Sequence, residues 1–94
     1  MRRESVFELI GKSIDYAETK WPGWPRDPVH AAAVVVDEAG ELLHAAMATT
    51  YRGGNRAEML AEALHVAATA TRFIAAHMDG HYHDRPDPLP MVMK

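Results

Sequence analysis

The chain contains no cysteine. That absence excludes a disulfide framework and every thiolate metal site, and fits a reducing compartment, so the cytoplasm is the expected location. It also lacks any apolar run approaching the roughly 20 residues of a membrane span. Its start, Met1-Arg2-Arg3-Glu4, leads into an amphipathic segment rather than a signal-peptide core. A soluble protein with no membrane partner is expected. A basic stripe is missing as well: the formal net charge is -3, and the 10 Lys and Arg residues are scattered from Arg2 to Lys94. Duplex nucleic acid is therefore not an expected partner. With 94 residues the chain makes about one small domain, which alone buries only some 60 to 65% of its unfolded surface. Since nothing covalent staples so thin a core, association into a homodimer or homotetramer is expected to supply the rest.

What is present is mostly helical periodicity. From Glu4 to Lys20 the residues Val6, Phe7, Ile10, Ile14 and Ala17 recur at three- and four-residue steps, one face of a helix. Trp21-Pro22-Gly23-Trp24-Pro25 ends it, because proline removes a donor and pushes the preceding residue out of the helical region. Asp27-Pro28 then reads as an N-cap followed by proline at the first helical position. The run Ala31-Ala32-Ala33-Val34-Val35-Val36 would suit a buried strand, but its continuation to about Thr49 is too long for one and predicts a second helix. Gly53-Gly54-Asn55 breaks the chain, and Asn55 caps a third helix from Arg56 to about Met78. The third helix is apolar along Met59, Leu60, Ala63, Leu64, Val66, Ala67, Ala70, Phe73 and Ile74, with many alanines that permit close helix approach. The expected fold is all-α: three main helices in residues 1–78, forming an antiparallel bundle completed by dimerisation or tetramerisation. Residues 79–94, rich in proline and histidine, read as a tail.

Helix two carries Glu38 and Glu41, three positions apart and so side by side on one face. Helix three carries Glu62 and His65 at the same spacing, within a stretch otherwise rich in alanine and leucine. If the two helices pack antiparallel across their short loop, the pairs face each other and line a cavity with three carboxylates and an imidazole. An isolated glutamate pair at this spacing is commonplace on solvated helices. Two features set this one apart: Asp37-Glu38 follow six consecutive Ala and Val residues, and Gly40 sits mid-helix at a cost of up to about 1 kcal/mol relative to alanine, which suggests a close approach there. Carboxylates about 5 Å apart at an effective dielectric of about 20 repel by roughly 3 kcal/mol per pair. A divalent cation is the economical relief.

The stretch Val35-Val36-Asp37-Glu38-Ala39-Gly40-Glu41-Leu42 resembles the signature helix of the all-alpha nucleotide pyrophosphohydrolases, the superfamily of MazG proteins and dimeric dUTPases, with Glu38 and Glu41 on its first acidic pair. Leu60-Ala61-Glu62-Ala63-Leu64-His65-Val66-Ala67 is similar to the family's second motif, Glu62 falling on its glutamate while His65 stands where the family has an aspartate. Asp15-Tyr16-Ala17-Glu18-Thr19-Lys20-Trp21 and the proline-rich link after it are similar to the first helix and loop of short MazG-like proteins, so the likeness spans most of residues 5 to 78. The resemblance implies a divalent metal, magnesium or manganese, held by Glu38, Glu41, Glu62 and His65, with Glu38 and Glu41 catalytic. It implies hydrolysis of a nucleoside triphosphate between the α and β phosphates, giving the monophosphate and pyrophosphate. A metal suits that reaction because it neutralises phosphate charge and lowers the pKa of bound water. Magnesium prefers an all-oxygen shell, whereas imidazole matches manganese or zinc, so His65 bears on both metal identity and turnover. The alternative is a non-catalytic helical module that binds nucleotide or a protein.

Other residues keep two readings each. Trp21 and Trp24 either stack on a nucleobase or close over a helix end as core. Lys20, Arg52 and Arg56 either meet phosphate oxygens or are solvated charge. Asp37 adjoins the acidic pair, and Glu58, one turn before Glu62, is either an outer carboxylate of the site or a first-turn surface residue. His30 and His44 flank the pair along helix two, at the site's edge or on the surface, and His81-Tyr82-His83 is either a small metal-binding pattern or plain tail.

Overall fold

In the computed structural model, residues 1–82 are described. They form three helices, α1 (Arg3–Lys20), α2 (Pro28–Tyr51) and α3 (Arg56–Met78), with no strand among the described residues. The stretch 31–36 lies inside α2 as read from the sequence, and α2 continues two residues beyond Thr49. His83 and the rest of the segment read as a tail lie outside the described residues, apart from a turn at 79–82.

Local chemistry sets each boundary. α1 ends where Trp21 leaves the helical region ahead of Pro22, its N–H still donating to the Ala17 carbonyl. The Asp27 carboxylate accepts from the Val29 N–H at 3.0 Å, with Pro28 opening the helix. The Asn55 side chain does the same for Ala57 at 2.7 Å. Between α2 and α3, Gly53 adopts φ +67°, a left-handed conformation that suits glycine. The chain reverses there, and the Gly54 N–H donates back to the Ala48 carbonyl at 2.8 Å.

α3 is the central element. It packs on α2 across that short turn, antiparallel, so that Glu38 in the middle of α2 meets His65 in the middle of α3. It also packs on α1, in the parallel sense: Ser13 reaches the Leu64 carbonyl, and eight residues further along each chain segment the Trp21 carbonyl meets Arg72. α1 and α2 make no Cα approach of their own within 8 Å. The two outer helices therefore diverge, leaving a cleft with α3 as its floor.

The packed interior is slight. Ala31, Ala68 and Thr69 are the buried residues among those described, and no large side chain is fully buried. Alanine at the α2–α3 contact lets the backbones come close, at the cost of little apolar area removed from water. The N-terminal half of α1 projects Phe7 at 59% exposure, so the apolar face read from the sequence is half used. No helix among the described residues is long and apolar enough to cross a membrane.

Candidate metal centre

Facing each other across the α2–α3 contact, Glu38, Glu62 and His65 each offer one ligand atom, and these three atoms lie within 4.8 Å of one another. The His65 Nδ1 is 3.6 Å from Glu38 Oε2 and 3.5 Å from Glu62 Oε2. Both of those carboxylate oxygens are buried and accept no hydrogen bond. Unpaired buried oxygens cost free energy unless a proton or cation meets them. Their lack of a hydrogen-bond donor and the spacing fit a divalent ion, and the donor set of two carboxylates and one imidazole fits manganese or zinc better than magnesium.

Burial pushes the Glu38 carboxyl above its ordinary value, and the negative charges of Glu41 and Glu62 push the same way, while His65 opposes them. Burial at the helix contact disfavours the charged form, and crowding adds to it, since three acids share one end of the cleft. Glu41 lies one turn beyond Glu38, lines the same cleft and is exposed. It acts on Glu38 through charge but stands outside the three-atom cluster.

The cleft has a volume of about 500 Å³ and runs from this acidic end to the link between α1 and α2. Tyr16, Trp21 and Trp24 line it from that side and Arg72 from α3. The Arg72 Nη2 donates to the Trp21 and Gly23 carbonyls at 2.8 and 3.3 Å, and its guanidinium stands 4.9 Å from the Trp24 ring centroid. Lys20 does not line the cleft; its ammonium lies 4.9 Å from the Trp21 ring centroid and 5.6 Å from that of Tyr16.

Of the residues singled out in the sequence, Glu38, Glu41, Glu62, His65, Trp21 and Trp24 come together in one cleft. Asp37, Glu58 and Arg56 are exposed and do not line it, nor do His30 and His44. Gly40 makes no close approach within the chain: a Cβ added there would meet nothing within 4 Å. Arg72 and Tyr16 escaped the sequence reading. Arg72 carried a usable signal, since Glu62, His65, Thr69 and Arg72 follow one another at three- and four-residue steps along one face of α3. No protein-family model, curated protein or solved structure matches the chain.

Proposed function

We propose that this chain is a metal-dependent nucleoside triphosphate pyrophosphohydrolase of the MazG-like kind, hydrolysing its substrate to a monophosphate and pyrophosphate. The observation that carries the reading is the cluster of Glu38, Glu62 and His65 within 4.8 Å, two of whose oxygens are buried and accept no hydrogen bond. A divalent cation bound there would neutralise phosphate charge and acidify water, the chemistry phosphoanhydride hydrolysis needs near neutral pH. Glu38 and Glu62 would hold the ion from opposite helices, His65 would complete the set, and Glu41, at the cleft wall, would take a proton from water. The cleft volume falls within the range of small-molecule sites, and the exposed rings of Trp21 and Tyr16 offer an aromatic surface to a base. We place the protein in the cytoplasm as an oligomer of identical chains.

The second reading, a nucleotide-binding helical module without turnover, draws on one observation: Glu41 stands outside the cluster, so the ion is offered only two carboxylates and an imidazole. Pyrophosphate release from a panel of nucleoside triphosphates, with manganese and with magnesium, decides between them. Manganese-dependent release lost in Glu38→Gln and Glu62→Gln is expected, and His65→Asp should raise the magnesium-supported rate by restoring an oxygen donor. A parent inactive on the whole panel, with a His65→Asp variant that binds magnesium and stays inactive, establishes the module instead.

A further inference from the structure

The link between α1 and α2 carries two tryptophans in opposite states. Trp24 is half-buried and tied on three sides. Its Nε1 donates to the Tyr82 hydroxyl at 2.7 Å, its carbonyl lies 2.9 Å from His81 Nε2, and the Arg72 guanidinium covers its ring. Tyr82 is itself held, its ring centroid 5.1 Å from that of Phe73 on α3. Trp21 has an exposed ring, 57% accessible, with the Lys20 ammonium near it, 4.9 Å from the centroid, on a backbone that is not free: Arg72 binds its carbonyl and that of Gly23 with one nitrogen. Trp24 and Arg72 line both the acidic cleft and a second cavity of about 300 Å³ behind it, which makes the stacked pair the partition between the two. Residues 79–82, read from the sequence as the start of a tail, thus reach back over 57 and 58 positions to fix a wall of the cleft.

We infer that Arg72, His81 and Tyr82 form a clasp that holds link 21–25 as a preformed wall, making Arg72 a positioning residue for a ligand that carries both a planar ring, stacked on Trp21, and phosphate. The identity of the ligand rests on the function proposed above; the clasp does not. Pro22 and Pro25 already restrict the link, but proline fixes only φ, and a short segment between two diverging helices would otherwise sample several positions. Each side chain or loop ordered only on binding costs affinity, so a wall fixed beforehand raises it. Arg72 has no part in the acidic cluster, and its loss should leave the cation end of the cleft as it was.

The experiment compares the full-length parent with Arg72→Gln, Arg72→Lys and Tyr82→Phe, using manganese alone and then manganese with an α,β-imido nucleoside triphosphate. Arg72→Gln is expected to keep the parent's manganese-induced rise in Tm, to weaken nucleotide binding about three- to tenfold, and to raise acrylamide quenching of Trp24 in a Trp21→Phe background. Arg72→Lys should recover part of the binding. Tyr82→Phe, which removes one hydroxyl and keeps the ring, should raise quenching even if Arg72→Gln does not fold. Unchanged nucleotide affinity and quenching in Arg72→Gln would overturn the inference. So would loss of the manganese response in proportion, because Arg72 would then be a general support. A parent that binds manganese but no nucleotide overturns the positioning role. A parent that binds neither overturns the proposed function, and the quenching of Arg72→Gln and Tyr82→Phe then decides the clasp alone.

Discussion

Glu38 concentrates the tension of the site. Its carboxyl is raised by burial, then by the charge of Glu41, which means the folded chain binds its proton more readily than the unfolded chain does. For an acid raised in this way, the folded state holds the extra proton between the ordinary value of 4.5 and the raised one. Stability from this group is therefore fully present below 4.5, declines as pH rises through that window and is lost above it, the reverse of a salt-bridged carboxylate. A cation held at the proposed centre would compete for the same proton site. Glu38→Gln should accordingly melt higher than the parent at neutral pH without metal and lose the manganese-induced rise in Tm, two effects of opposite sign from one substitution. Thermal melts of both proteins from pH 4.5 to neutrality, with and without manganese, give the result. A variant that melts lower than the parent in the absence of metal would show that Glu38 is a structural partner rather than a strained ligand.

At the scale of the element, what the sequence revealed divides by range of interaction. The caps at Asp27 and Asn55, the stop before Pro22 and the reversal at Gly53 are local chemistry, and all three helices follow from them. The pairing of Glu38 with His65 was legible too, because two acidic motifs on helices joined by a short turn have few ways to meet. Which member of the Glu38–Glu41 pair enters the cluster was not, since residues three apart on a helix differ by about 60° around its axis and the neighbour's register selects between them. The clasp was illegible for a different reason: Trp24 and Tyr82 stand 58 positions apart, and no periodicity connects them. The α2–α3 turn is the local element most open to test. Asn55→Ala removes the cap to Ala57 and should cost about 1 kcal/mol, which is about 4–8 °C in Tm for a domain of this size. Gly54→Ala should cost about 1–3 kcal/mol, because its Cβ would lie 2.9 Å from the Ala48 carbonyl carbon and 3.0 Å from the Thr49 nitrogen, both backbone atoms with no rotamer to change. Denaturant melts that find Gly54→Ala as stable as the parent would mean that the turn opens at little cost.

For the whole molecule, the deficit is apolar burial. Along the outer face of α2, Val29, Ala33, Val36, Gly40, Leu43 and Met47 recur at spacings of four and three, the seam pattern of two helices packed along their lengths, and all are exposed. Val36 is 66% exposed and Leu43 62%, and no large side chain among the described residues is completely buried. α3 adds Leu60 and Ile74 on its own outer side. A stripe of this kind in water is the mark of a surface meant to be covered, and a second copy presents the same stripe with the same spacing. Light scattering at micromolar concentration should therefore find at least a dimer, and Leu43→Glu should dissociate it while lowering Tm. Gly40 distinguishes the geometry. In a lone chain Gly40→Ala meets nothing within 4 Å and should stabilise α2 by up to about 1 kcal/mol. With a second helix seated on the stripe, the added methyl stands where two backbones approach, and the same substitution should weaken association. A parent that stays monomeric, with Gly40→Ala more stable than it, would remove the oligomer and leave the α2 stripe as bare surface.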